Sequence, residues 1–479
     1  MNKDHEEPQQ LQRTMKSRHL FMISLGGVIG TGFFLSTGLT VNQAGPTGAV
    51  LSFLVGGFIM YLTMLCLGEL SVAMPVSGSF QTYTSKFIGP ATGFAIGWLY
   101  WLGWAATVAL EFLSAATLML RWFPHSPVWM WCAIFAGLLF VLNALSAKAF
   151  GEAEFWFSSI KVSAIILFII LGGAAMFGLI DMKDGQAAPM LTNFYKDGFF
   201  PNGLPILITT MIAVNFSFQG TELIGIAAGE SENPEVTIPR SIRQTVWRTL
   251  FFFVLAIFVL AGMIPWEKAG LLESPFVTVF DNIGIPYAAD LMNFVILTAL
   301  LSVANSGLYA ASRMLYSLST EGKASPAFAR VNKRGVPMNS LVLTLGVACL
   351  CLLSRVFAAE TVYVWLLALA GLGAQVGWIA TTASQLAFRH KFIKAGGNVK
   401  DLKFKTPWYP FLPLLGLILN SIVMISLAFD PDQRIGLYCG IPFMAACYII
   451  YHLRIKKKQH LNRDHAFTVE LKAGQTIDL

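Results

Sequence analysis

The chain has 479 residues, of which 55% are hydrophobic and 12% charged, with a formal net charge of +7. Soluble domains carry about 25% charged residues, and here the apolar residues gather in uninterrupted runs such as Leu51 to Leu67 and Ile206 to Phe218. This composition excludes a soluble enzyme, a nucleic-acid binder and a disordered chain, and it points to a lipid bilayer, whose core takes roughly 20 mostly apolar residues per helix.

In chain order, a polar segment at 1–19 lacks the apolar core of a cleavable signal peptide and is followed by twelve predicted transmembrane helices. They fall at about 20–41, 47–73, 88–120, 128–147, 154–180, 203–230, 242–264, 286–318, 340–357, 361–387, 409–428 and 434–453, with a basic tail at 454–479. With the N-terminus in the cytoplasm, 25 lysines and arginines fall in or beside the inside segments, six in or beside the outside ones, and two, Lys161 and Arg313, are assigned to neither side. This asymmetry predicts cytoplasmic N- and C-termini. The six cysteines all lie in apolar runs without metal-ligand spacing, so neither a disulfide framework nor a metal centre is expected, and no cofactor is implied.

Two segments are poor continuous helices. Gly26, Gly27, Gly30 and Gly32 interrupt predicted helix 1, and each costs about 1 kcal/mol relative to Ala. Asn215 to Glu222 places polar residues, a glycine and an acid in the middle of predicted helix 6. Close packing of small residues is one reading. The sharper one is two unwound stretches whose free backbone groups line a polar cavity. Two such breaks five helices apart predict an all-α integral membrane fold with a five-plus-five inverted repeat: repeat one at about 20–180, repeat two at about 203–387, and helices 11 and 12 at about 409–453. Half-helix N-termini favour a carboxylate and unwound carbonyls favour an ammonium, so the pair makes a receptor for a zwitterion.

At these residues the chain resembles amino acid permeases of the amino acid–polyamine–organocation superfamily. The matching stretches are Ser24–Phe33 (SLGGVIGTGF), Gly68–Ser79 (GELSVAMPVSGS), Phe157–Val162 (FSSIKV) and Phe218–Pro234 (FQGTELIGIAAGESENP). Leu11–Ile23, Phe404–Pro407 and Ala428–Arg434 carry a closer likeness to bacterial arginine/ornithine permeases; lysine and S-methylmethionine permeases are also similar. The resemblance implies the inverted-repeat fold, a bacterial inner-membrane location and proton-coupled uptake of a cationic amino acid by alternating access.

The resemblance also implies roles. Gly30, Thr31 and Gly32 match the position that holds the substrate carboxylate, and Val28 and Ile29 supply carbonyls for the ammonium. Phe216 matches an aromatic gate, with Phe218 and Gln219 in the unwound stretch as weaker candidates, Gln219 for the ammonium. Glu222 links substrate binding to gating and takes part in proton coupling; capping of the second half-helix is its plainer role. Lys161 resembles a built-in replacement for the sodium ion of sodium-coupled relatives and is the proton-coupling candidate, against a lysine snorkelling from a helix end. From spacing alone, Tyr100, Trp104 and Glu111 share one face of helix 3, which suits a cationic side chain; Glu111 fits the proton path equally well. Ser302, Asn305 and Ser306 read best as helix–helix hydrogen-bonding residues, Glu230 as a structural ion-pair partner, and Glu69 and Arg313 as interfacial.

Other functions compete. A neutral amino acid or γ-aminobutyrate stays within the transporter class. A channel fits two broken helices less well, a membrane enzyme lacks an intramembrane histidine, and an amino acid sensor would signal through the tail. The partners expected are an amino acid, a proton and the bilayer, with no nucleic acid.

Overall fold

The computed structural model describes residues 26–144, 147–270, 274–431 and 433–455, including the side chains of all of these except 147–153. The predicted segment 1–19, the start of predicted helix 1 and the tail beyond Ile455 lie outside the described residues, as does the motif Leu11–Ile23.

The described chain is all helical, with no β-strand. Its α-helices, in order, are α1 (Thr31–Phe34), α2 (Ser36–Ala73), α3 (Ser79–Phe87), α4 (Pro90–Leu118), α5 (Val128–Asn143), α6 (Ala147–Met176), α7 (Thr192–Tyr195), α8 (Ile206–Thr209), α9 (Met211–Ser217), α10 (Leu223–Ala227), α11 (Pro234–Met263), α12 (Pro275–Ile283), α13 (Ala288–Thr320), α14 (Met338–Ala348), α15 (Ala359–Lys394), α16 (Phe411–Ser426) and α17 (Arg434–Ile450). Among the described residues, nine helices are long and apolar enough to cross a membrane by length and composition, and Val128–Asn143 and Ile206–Ser217 are shorter apolar helices. Together with the composition, this makes the protein a multi-pass membrane protein.

Local sequence sets several boundaries. α2 bends sharply at Gly45 (φ 72°, ψ 173°), next to Pro46, which has no amide to continue the helical ladder. Predicted helices 1 and 2 meet at this corner. Helices α4, α11 and α12 each begin with proline in the first turn, where its fixed φ fits and its missing N–H is not needed. α11 starts eight residues before the predicted 242, because its first turns, with two prolines, Glu235 and Arg240, carry no hydropathy signal. α3 and α12 were not anticipated; both are short and amphipathic, burying Phe80 and Tyr83 in one case and Phe276, Phe280 and Ile283 in the other.

The core is built on α4, which packs most extensively against α13 and α15. These three are the most enclosed of the long helices, whereas α16 and α17 lie at the periphery with Ile418, Ile422, Ile425 and Ile441 exposed. Such faces suit contact with lipid. The enclosed α4 presents Tyr100, Trp104, Thr107 and Glu111 to the two broken segments.

Candidate functional site

The first break lies at Ile29 and Gly30, non-helical between the helical residues 26–28 and α1. Gly30 caps α1 in a non-helical conformation (φ −142°, ψ −147°) without a side-chain cap. The first amides of a helix have no intrahelical partner, so the Thr31 amide needs an acceptor from elsewhere. Glu111 provides it. The Thr31 amide donates to Glu111 Oε1 at 3.1 Å, and the Thr31 hydroxyl donates to Oε2 at 2.8 Å. A carboxylate belonging to the protein therefore occupies the position that the half-helix N-terminus offers to an anion. The fit is close: a Cβ on Gly30 would lie 2.8 Å from Glu111 Oε1 and 2.7 Å from Val303.

The second break runs from Phe218 to Glu222, between α9 and α10. Glu222 is buried, and its side chain turns back toward the break. It accepts from the Gly220 amide at 3.0 Å, the Tyr100 hydroxyl at 2.9 Å and the Trp378 indole at 3.4 Å. It does not cap α10 with its side chain, so the geometry departs from the plain capping role. The two breaks touch through backbone. The Ser217 hydroxyl donates to Gly32 O at 2.5 Å. Gly220 has φ 105°, and a Cβ there would lie 2.4 Å from Gly27 O. Both the left-handed backbone and the contact require glycine. Gly220→Ala should therefore reduce transport to background and lower the melting temperature, with backbone strain alone costing about 1–3 kcal/mol. Gly137→Ala, with nothing within 4 Å of its Cβ, is the matched control and should behave as wild type in the same uptake and melting assays.

Between the breaks lies a cavity of about 10 Å³ lined by Gly27, Val28, Gly30, Gly32, Trp104, Thr107, Glu111, Phe216, Gln219 and Val303. That is room for about one water molecule. Of the residues expected from the sequence, Val28, Gly30, Gly32, Trp104, Glu111, Phe216 and Gln219 meet here, and Thr31 joins through Glu111. The Gln219 side chain donates to the Thr107 hydroxyl at 3.4 Å, while its carbonyl oxygen is buried with no donor among the described residues. Ile29, Phe218 and Glu222 do not line the cavity. The Phe218 ring instead packs against Phe53 and Phe253, at centroid distances of 5.8 and 5.2 Å, because it points to the opposite side of the break from Gln219. Glu222 sits behind the cavity, next to Tyr100.

Lys161 is completely buried, and its ammonium donates to Gly26 O at 2.6 Å. It therefore does not snorkel. Its nearest acid is Glu154, with Oε1 at 4.0 Å. Glu154 is also completely buried and accepts from the Ser302 hydroxyl. This acid was missed from the sequence, where it reads as the start of a helix; the available signal was its place two turns before Lys161 on the same helical face. Ser302 thus joins α13 to α6, and Asn305 accepts from Asn143 of α5 at 2.6 Å, in line with their reading as interhelical residues. The cluster ties the first break to α6 and α13.

Two further charge clusters correct the reading of Glu69 and Arg313 as interfacial. Glu69 is completely buried and pairs with Arg389. Arg313 is 3% exposed, and its Nε lies 3.1 Å from Glu230 Oε1, which also accepts from the Tyr309 hydroxyl at 2.7 Å. Glu230 is thus an ion-pair partner, in line with its reading from the sequence, which did not name Arg313 as its counter-ion. Position near a helix end had suggested exposure, but neighbouring helices cover both sites.

Comparison with known proteins bears on what such a site does. The family model described as "Amino acid permease" matches residues 19–463. The chain is 70% identical over 463 residues to the amino-acid permease RocE of Bacillus subtilis, covering 97% of this chain and 99% of that protein. It is 61% identical to the amino-acid permease RocC of the same organism, covering 94% and 96%. It is 42% identical to the lysine-specific permease LysP of Escherichia coli, covering 92% and 94%.

Proposed function

The chain belongs to the amino acid permease family, a family of transporters rather than enzymes, and from that premise we propose that it takes up a cationic amino acid of the arginine/ornithine class, coupled to proton entry, by alternating access. The observation that carries the reading is the Glu111 carboxylate held by the amide and hydroxyl of Thr31. A group of the same chemistry as an amino acid's carboxylate already uses this half-helix terminus.

The substrate carboxylate displaces Glu111 from Thr31, with Gly30 and Gly32 allowing close approach. The displaced Glu111 remains in the same cavity as Trp104 and Gln219 and faces the substrate's positive charge. Carbonyls at Val28 and Ile29 and the free oxygen of Gln219 receive the α-ammonium. Phe216 closes the cavity, and Glu222, gripped by Tyr100 and Trp378, reports occupancy to α10. Lys161 carries the coupling. Support for a cationic substrate comes from the similarity to the lysine-specific permease of Escherichia coli and from the acid in the cavity. The proposal places these parts in a twelve-helix, five-plus-five inverted repeat over 20–453, between cytoplasmic segments 1–19 and 454–479, in a bacterial inner membrane.

Uptake into proteoliposomes tests it. Labelled arginine or ornithine should accumulate under an inward proton gradient and not under a sodium gradient, and excess lysine should compete better than leucine or γ-aminobutyrate. Sodium dependence or preference for a neutral substrate overturns the reading. Glu111→Gln should lower arginine uptake at least about tenfold, the loss expected for one charge-assisted contact, with membrane abundance unchanged; wild-type uptake by this variant removes Glu111 from the site.

A further inference from the structure

Away from the transport site, the seam between α2 and α11 carries two neighbouring hollows that share Trp247 in their walls. The first, about 420 Å³, is lined by Tyr61 and Leu65 of α2, by Arg240, Arg243 and Trp247 of α11, and by Phe404. The second, about 440 Å³, continues along the same helix pair, with Val50 and Leu54 on one side and Trp247, Leu250, Val254 and Phe258 on the other. Trp247 belongs to both. On α11, positions 240, 243, 247, 250, 254 and 258 follow helical spacing, so they form one stripe: two arginines, an indole, then apolar side chains.

Arg240 and Arg243 are exposed, and among the described residues neither has an acidic partner. The acid of the same helix start, Glu235, is taken by Lys403. The exposed Trp247 lies 6.3 Å from the Tyr61 ring, an aromatic pair of the kind enriched at membrane interfaces. From Trp247 to Phe258 the helix rises about 16 Å, half of the roughly 30 Å hydrocarbon core and hence one leaflet deep.

We propose that this seam is a binding site for an anionic phospholipid, its phosphate between Arg240 and Arg243 and one acyl chain along the apolar trough to Phe258. Basic pockets between membrane helices suit such headgroups. A free phosphate would find the arginines but leave the trough unused, so the lipid is the ligand that fits both hollows.

Native mass spectrometry of the full chain in a neutral detergent tests this with added phosphatidylglycerol and phosphatidylcholine of identical acyl chains. Wild type should retain phosphatidylglycerol about tenfold better. The Arg240→Gln/Arg243→Gln variant, altered only at exposed side chains, should lose that preference. Val254→Trp, which fills the trough, should weaken retention of both lipids. Undiminished phosphatidylglycerol preference in the double variant overturns the site. So does full competition by inorganic phosphate, which would reveal a plain anion site, or unchanged retention by Val254→Trp.

Discussion

Lys161→Ala should abolish proton-driven accumulation while leaving substrate binding within about tenfold of wild type. The expectation follows from what the ammonium holds. Lys161 reaches Gly26 O, on the near side of the first break, and stands 4.0 Å from Glu154, which is bonded to Ser302. On the proposed coupling role, loss of the proton from this nitrogen removes the charge from its contact with Gly26 O and from its pairing with Glu154, and so loosens the first break from α6, which Glu154 and Ser302 join to α13. An alanine cannot switch between these conditions, so the gradient has nothing to act on, whereas the carboxylate-binding end at Thr31 is left in place. Substrate counterflow, which needs no gradient, should persist at a measurable rate, and accumulation against a concentration difference should fall to the passive level. Loss of both, with normal membrane abundance, would make Lys161 a structural tether; full gradient-driven accumulation would remove it from coupling. Glu154→Gln serves as the companion. It keeps the Ser302 contact but not the countercharge, and it should weaken accumulation more than counterflow.

The parts of this arrangement legible in the sequence were those written in local composition. Four glycines in seven residues mark the first break because their backbone cost is intrinsic, and the polar stretch around Gly220 marks the second for the same reason. Lys161 stood out because charge is scarce in apolar runs. Contacts between distant residues left no such mark. Thr31 and Glu111 are 80 positions apart, and nothing in either segment states that the acid folds onto the amide. From sequence, Glu111 therefore reads as a partner for a cation or as part of a proton path, and its role as the acceptor at Thr31 goes unseen. Phe218 shows the limit of local reasoning from the other side: its neighbours Phe216 and Gln219 face the cavity, and only the path of the unwound backbone turns Phe218 into the aromatic packing with Phe53 and Phe253. The amphipathic helices α3 and α12 escaped because each is nine residues long, too short to register as a span.

Glu69→Ala should be the most destabilising of the single substitutions considered, by about 3–5 kcal/mol, the cost of leaving a buried charge without its partner. Glu69 accepts from Arg389 Nε at 2.5 Å and from Arg389 Nη2, from the Gln385 side chain at 2.9 Å and from the Thr406 amide at 2.7 Å. It thus binds α2 to α15 and to the loop before α16. The Arg389 guanidinium also lies 5.2 Å from the Tyr409 ring, which cannot replace a carboxylate. The alanine variant should show a lowered melting temperature in detergent and reduced membrane abundance. Combining it with Arg389→Met removes the stranded charge, and the double variant should recover part of the loss, since replacing a buried pair by apolar groups is often close to neutral. The Thr406 amide and the Gln385 side chain still lose their acceptor, at about 1–3 kcal/mol for each buried group left unsatisfied, so recovery should be incomplete. A double variant less stable than Glu69→Ala alone would show that the arginine stabilises this end of the bundle by packing rather than by its charge.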